Sequence, residues 1–287
     1  MREIKVKTPA KINLALEILG KRPDGFHEIQ SIMQAVSLFD VLTITIEDSD
    51  KEQIEISGTS SKIPYDKNNI AHKAAKLFLG HAGIENQKVK IYIEKKIPVS
   101  AGLAGGSSNA AGVLWGLNKI CKNLLSDEDL HFLAAKLGSD VNFCLTGGTC
   151  AATSRGEKIK QIVAPYLNFL IIKPSNLAIS AKKAYTKYAE LTQKPEDKTF
   201  NRMKEAASEA EIASLLNNDL EKAVIPAYPE IQEVKNYLLK LGCKNVLMSG
   251  SGASVFGIYS GNAEFSVLPA NWQAFKVHSI GYGVTAS

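Results

Sequence analysis

The sequence predicts a two-domain protein of mixed class, α/β (α+β), with a cleft between the domains. Three observations predict it. Runs of strand-like alternation are interleaved with runs of helical spacing instead of being segregated from them. The length, 287 residues, exceeds what one small core organises and suits two modest domains. A strand, a glycine-rich loop and the start of a helix follow one another at 89–117, an order that sets a helix N-terminus beside a loop of small residues. We divide the chain into residues 1–156 and 157–287.

The elements follow in order. Met1–Lys7 alternates charged and apolar side chains. In the run Lys11–Ile18 the apolar Ile12, Leu14, Leu16 and Ile18 alternate with Lys11, Asn13, Ala15 and Glu17. This is a half-buried strand in which Lys11 and Asn13 point the same way. Arg22-Pro23-Asp24-Gly25 is a turn, because proline presets φ and glycine permits positive φ; it leads into Phe26-His27. Further strands are expected at Leu42–Ile46 and Val89–Ile93, and a helix from Asn69 to Leu79, stopped near Gly80 and Gly83. Past the glycine-rich loop, Ala110, Val113, Leu114 and Leu117 mark one helical face. Ser126 is a helix cap with acidic residues in the first turn, and that helix ends at Gly138. Gly138–Asn142 then reads as a helix-exit loop before strands Phe143–Leu145 and Thr149–Ala152. Beyond Gly156 the pattern gives strand Phe169–Ile172, helix Ala181–Ala189, a polar loop Thr192–Thr199, helices near Ile212–Leu220 and Ile231–Leu241, and strands Val246–Met248 and Val255–Tyr259.

Composition excludes several classes. No segment approaches the roughly 18 consecutive apolar residues of a membrane helix, and the first residues lack the apolar stretch of a secretory signal, so a cytoplasmic protein is expected. Cys121, Cys144, Cys150 and Cys243 show no C-x-x-C spacing, which argues against a zinc site or a disulfide framework. The net charge of +5 is mild, with no aromatic-interleaved basic stripe, so nucleic acid is not expected as a partner; a small anionic ligand is.

The loop Ile97–Asn109 carries the first chemical signal. Small residues at Gly102–Ser108 let backbone N–H groups approach phosphate oxygens, and the following helix adds its positive end; a tight turn with small residues for packing is the other reading. The Walker pattern fails because no lysine follows the glycines. The dinucleotide fingerprint fails because position 104 is alanine.

What the loop resembles is the signature of the GHMP small-molecule kinase family, in Pro98, Gly102, Leu103, Gly105, Gly106, Ser107 and Ser108. The same family resemblance extends to Thr8-Pro9-Ala10-Lys11-Ile12-Asn13-Leu14, Arg22-Pro23-Asp24-Gly25-Phe26-His27, Gly138-Ser139-Asp140-Val141 and Ser249-Gly250-Ser251-Gly252-Ala253. Ala104 departs from the pattern, where glycine is common. The resemblance implies an ATP-dependent phosphorylation of a hydroxyl, with ATP and acceptor sites in the cleft between two domains. It implies a catalytic pair, Lys11 and Asp140. Phosphoryl transfer asks for just such groups, a base for the hydroxyl proton and a cation beside the transferring phosphate.

By the same resemblance, Pro98, Val99, Ser100, Ala101, Gly102, Leu103, Ala104, Gly105, Gly106, Ser107 and Ser108 hold the phosphates of ATP, with the Ser107 and Ser108 hydroxyls available to phosphate or Mg²⁺. Lys95, Lys96 and Asn69 border the adenine. The Phe26-His27 pair distinguishes members that take a cytidine-diphosphate-linked polyol, in a route to isoprenoid precursors. Asn13, Phe26, His27, Tyr185, Gly250, Ser251 and Gly252 are the implied acceptor contacts, with Tyr185 closing an aromatic clamp on cytosine. The Mg²⁺ ligands on the protein are not identified from sequence, and a monomer or weak homodimer is expected.

Overall fold

Two very long strands carry the architecture: β1 (Arg2–Lys21) and β2 (His27–Asp48) pair antiparallel over nearly their whole length. The alternation at the start of β1 holds only at its exposed end. From Thr8 to Glu17 every residue is buried, because both faces of the strand are covered. Register shifts at Pro9/Ala10, Asn13/Ala15 and Ile18/Gly20 bend the pair, each extra residue re-aiming the side chains around it. The computed structural model describes residues 1–191, 199–261 and 268–287; most of the polar loop expected at Thr192–Thr199 lies outside them.

The first half continues through β3 (Gln53–Gly58), α1 (Ile70–Ala82), β4 (Gln87–Glu94), α2 (Gly105–Ile120), α3 (Asp127–Leu137), α4 (Ser139–Thr146), β5 (Thr149–Ser154) and β6 (Lys158–Ile162). The second half holds β7 (Asn168–Pro174), α5 (Ala181–Ala189), α6 (Phe200–Glu205), α7 (Glu209–Leu215), β8 (Asn217–Asn218), α8 (Glu221–Val224), α9 (Glu230–Lys240), β9 (Asn245–Met248), β10 (Val255–Ile258), β11 (Trp272–His278) and β12 (Thr285–Ala286). Among the described residues, one sheet runs β12-β1-β2-β4-β3, with β5 on β2, β6 on β5 and β8 on β1. The other runs β11-β7-β10-β9. The chain passes from the first sheet to the second between Ile162 and Asn168, so β6 lies beyond a division at 156 but still in the first sheet. The second half returns β8 and β12 to β1.

One core lies between the first sheet and α1 to α4, around Leu42, Phe78, Leu114 and Phe143. Glycines set the spacing there: a Cβ on Gly112 would come within 2.4 Å of Thr8 Cγ2, and one on Gly116 within 2.7 Å of Ile44 Cδ1. A second core joins the halves, with Ile12 and Leu14 of β1 against Phe169, Ile171 and Phe256. The second sheet's other face packs on α9 through Ile231, Val234 and Leu238.

Two expected elements change. Phe143–Leu145 is not a strand but part of α4, and the expected exit loop is that helix's first turn. The four consecutive buried residues Val141, Asn142, Phe143 and Cys144 carry no face periodicity, and a short apolar run of this kind does not distinguish helix from strand. The helix expected near Ile212–Leu220 stops at Leu215. Asn217 and Asn218 bridge in parallel to Ala15 and Leu16, and Asp219 Oδ2 accepts the Ile18 N–H at 2.8 Å. Asn and Asp side chains bond nearby backbone in place of continuing a helix.

The fully buried Asp40 ties β2 to two other segments, residues 95–97 after β4 and the start of α2. Its Oδ1 accepts the N–H groups of Lys96 (2.7 Å) and Ile97 (2.8 Å), and its Oδ2 accepts from Asn109 Nδ2 (2.9 Å) and from the Lys95 ammonium. The Lys95 side chain is 5% exposed; burial lowers its pKa, and Asp40 opposes that shift. Replacing Asp40 by Asn strands a buried ammonium, and breaking one side of a buried pair costs about 3–5 kcal/mol. Urea unfolding of Asp40→Asn beside the parent chain is expected to show a loss of that size at unchanged m-value.

Candidate active site

Lys11 and Asn13 sit on one face of β1, as the alternation requires, and both are buried. A buried ammonium needs partners. Lys11 Nζ donates to Asn13 Oδ1 at 2.5 Å and stands 3.8 Å from Asp140 Oδ2. Its side chain is 5% exposed, against 32% for Asp140. Asp140 belongs to the first turn of α4, whose N-terminus has no side-chain cap; the helix dipole favours a carboxylate there.

The glycine-rich loop runs from the end of β4 into α2 and is fixed from two directions. Lys11 N–H donates to the Leu103 carbonyl (3.1 Å), Ser254 N–H to the Ala101 carbonyl (3.1 Å) and Ser249 Oγ to the Gly102 carbonyl (3.0 Å). Gly102 has φ +74°, and a Cβ there would lie 2.0 Å from the Ser249 carbonyl oxygen, so no other residue fits. Ala104 takes φ +55°, a left-handed conformation that costs an L-residue roughly 1–2 kcal/mol; the loop keeps its shape at that expense. No side chain caps α2 at Ala104, so the first-turn amides of this helix lack a side-chain acceptor.

These residues open on a cavity of about 840 Å³ lined by Lys11, Asn13, Gly102, Ala104, Ser107 and Asp140 together with Phe26, His27, Tyr185, Gly250 and Ser251. Elements distant in sequence thus converge on one cavity. Others do not reach the wall: Pro98, Val99, Ser100, Ala101, Leu103, Gly105 and Gly106 are outside the lining. Ser108 is fully buried, and its hydroxyl donates to the Pro9 carbonyl at 2.6 Å. Of the two hydroxyls expected to be available, that leaves Ser107. Gly252 is packing, since a Cβ would meet Met248 Sδ at 2.8 Å. Lys95 is spent on Asp40, and Asn69 caps α1 by accepting the Ala71 N–H at 2.9 Å, so neither is a free wall residue.

The aromatic group is built differently from a simple clamp. His27 and Tyr185 stack on each other, with centroids 5.1 Å apart and planes 27° apart, too close for a third ring between them. Phe26 is 52% exposed, with the Arg155 guanidinium 4.8 Å above its ring, a cation–π distance. Burial pushes the Tyr185 phenol upward, helped by Asp140. Burial, then the Lys21 charge, lower the His27 pKa. His27 Nε2 is buried with no hydrogen-bond partner.

Lys21, Arg155 and Lys182 also line the cavity. Motif reading missed these cations because they come from three segments far apart in sequence and belong to none of the quoted motifs. The turn before Phe26 is held by Arg22, whose guanidinium bonds Asp24, Glu28 and Ser154 Oγ. The surface lysines are less scattered than the sequence suggested: Lys67, Lys73, Lys76 and Lys136 share a second groove of about 660 Å³ beside α1 and α3.

Residues 69–148 match the model of the GHMP kinases N terminal domain, and residues 201–274 that of the GHMP kinases C terminal. A 4-diphosphocytidyl-2-C-methyl-D-erythritol kinase of Bacillus pumilus (strain SAFR-032) is 42% identical over 253 residues, 88% of this chain and 86% of that one. A crystal structure of 4-(cytidine 5'-diphospho)-2C-methyl-D-erythritol kinase superposes with TM-score 0.75 at 30% identity, over 97% of this chain and all of the other. A homoserine kinase from Cytophaga hutchinsonii superposes with TM-score 0.77 at 19% identity, over 100% of this chain and 98% of that one, a likeness of fold alone. With both halves matched and a relative 42% identical across most of its length, the chain belongs to the GHMP kinase family.

Proposed function

We propose that this chain transfers the γ-phosphoryl group of ATP to the 2-hydroxyl of 4-diphosphocytidyl-2-C-methyl-D-erythritol, in the non-mevalonate route to isoprenoid precursors. The observation that carries the reading is the pair Lys11 and Asp140, 3.8 Å apart, in one cavity with the glycine-rich loop on one side and His27 and Tyr185 on the other. The kinship with enzymes named for this substrate supports it.

In this reading Asp140 takes the proton of the acceptor hydroxyl as its oxygen bonds to the γ-phosphorus and the bond to the β-phosphate bridging oxygen breaks, releasing ADP. Lys11 places positive charge beside the transferring phosphoryl oxygens, and its burial strengthens that interaction over what water would allow. The uncapped start of α2 and Ser107 bind the phosphates. His27 Nε2, buried and unpartnered, reads the polar edge of cytosine, and the exposed face of Phe26 stacks on the base. Lys21, Arg155 and Lys182 face the acceptor's diphosphate. Among the described residues no group of three His, Cys, Asp or Glu side chains is placed to hold a metal. The donor set suits a Mg²⁺ that keeps phosphate and water ligands, as this ion usually does, with Asp140 the carboxylate nearest the chemistry. The reading brings with it a cytoplasmic enzyme acting on small molecules as a monomer or weak homodimer.

ADP release with Mg²⁺-ATP is expected with the cytidylyl acceptor and not with mevalonate, homoserine or galactose; turnover of one of those would overturn the substrate. Asp140→Asn should lower kcat by about 10²–10⁴-fold, the usual worth of a positioned base, with KM for ATP little changed. The pH dependence has a definite sign. Because the His27 pKa lies below the ordinary 6.5, the ring is neutral through neutral pH and protonates only in more acidic solution. KM for the acceptor should therefore stay level from pH 8 to 6.5 and rise below it, while His27→Gln gives a raised KM without that rise.

A further inference from the structure

Behind Asn13, which lines the cavity, stands Ser31, two hydrogen bonds from Lys11. We propose that Ser31 is a positioning residue for the phosphoryl transfer, acting through Asn13 to fix the Lys11 ammonium; this rests on the role given to Lys11 above. Ser31 lies on β2, fully buried and directly opposite Leu16 of β1. Its hydroxyl donates to the Ala15 carbonyl at 2.5 Å and accepts from Asn13 Nδ2 at 2.8 Å. Asn13 Oδ1 then accepts from Lys11 Nζ at 2.5 Å. The direction of this relay is forced by donor counting. A serine hydroxyl has one proton, and here the proton goes to a backbone carbonyl that cannot donate. What is left on Ser31 toward Asn13 is a lone pair, so the amide must turn its NH₂ to Ser31 and its oxygen to Lys11. The opposite amide orientation would set two donors against each other at the Lys11 end, NH₂ against the ammonium, and two acceptors at the Ser31 end, C=O against an oxygen with no proton to give.

The geometry around the relay explains why β1 supplies both ends. Ser31 stands opposite Leu16, next to the register shift between Asn13 and Ala15, where its hydroxyl reaches the Ala15 carbonyl, and Asn13 shares the strand face of Lys11. Gly250 closes the other side: a Cβ there would stand 3.3 Å from both Asn13 Oδ1 and Lys11 Nζ, so the pair has little room to shift. Without the Ser31 hydroxyl, the amide keeps Lys11 as a partner for its oxygen but loses the anchor on its NH₂ end, and Lys11 loses a fixed acceptor while keeping Asp140. Lys11 then samples positions in which its charge is off the transferring phosphate. No contact with ATP or acceptor is removed.

The experiment is a kinetic cycle on the full chain with Mg²⁺-ATP and the cytidylyl acceptor: parent, Ser31→Ala, Ser31→Thr, Asn13→Ala and the double variant Ser31→Ala/Asn13→Ala, with thermal melting of each. Ser31→Ala is expected to lower kcat about tenfold with KM for ATP within twofold of the parent. Ser31→Thr, which keeps the hydroxyl, should restore kcat to within threefold. In the Asn13→Ala background the Ser31 substitution should cost nothing further. Additive losses in the double variant, a Ser31→Ala kcat equal to the parent's, or a Ser31→Thr chain that melts like the parent yet stays slow would each overturn the relay. A parent chain without turnover would instead count against the proposed reaction itself.

Discussion

Asp40 is the constraint on which the rest of the site depends. One carboxylate with no solvent contact binds two consecutive amides at the entry to the glycine-rich loop, an amide side chain in the first turns of α2 and the ammonium at the end of β4. A buried carboxylate is tolerable only when its lone pairs are met, and here both oxygens are. Asn109 Nδ2 also reaches Thr8 Oγ1 at 3.1 Å, so the same knot holds β1 three residues before Lys11. The position of the loop, the start of α2 and the register of the lysine-bearing strand are thereby a single geometric fact.

On that frame the cavity is assembled from both halves of the chain. β1 crosses from one core to the other, and its central residues are buried on both faces, which is why a lysine on it can be nearly solvent-free. The second half supplies Tyr185, Gly250 and Ser251, and its Ser249 and Ser254 fasten the loop of the first half. Phosphate-facing and acceptor-facing groups therefore share hydrogen bonds across the domain junction, and neither half holds the loop in place alone.

Much of this was legible in the sequence, and the failures have physical causes. Lys11 and Asn13 share a face because the strand period is two, and the glycine-rich loop announced itself because a site such as Gly102, where a Cβ would lie 2.0 Å from the Ser249 carbonyl oxygen, admits only glycine. Asp140 was found through its motif, while its setting was misread, because a short helix buried on several sides leaves no periodic trace. Asp40 and Ser31 were invisible: an aspartate and a serine inside an apolar strand carry no signal until their partners, far off in sequence, are known. Ser108 and Lys95 were assigned to ligand where the fold uses them itself, since a hydroxyl beside a glycine loop reads the same whether it faces a phosphate or a carbonyl.

The three latches on the loop fix more than its place. A trans peptide holds its C=O and the next residue's N–H on opposite sides of one plane. With the carbonyls of Ala101, Gly102 and Leu103 all drawn to donors from β1 and the second half, the N–H groups of Gly102, Leu103 and Ala104 are turned the other way. The loop thus has the sense of these three peptide groups set by folding, before any ligand arrives. It has no rotamer or peptide flip left with which to welcome a cation, and none to spend in receiving an anion.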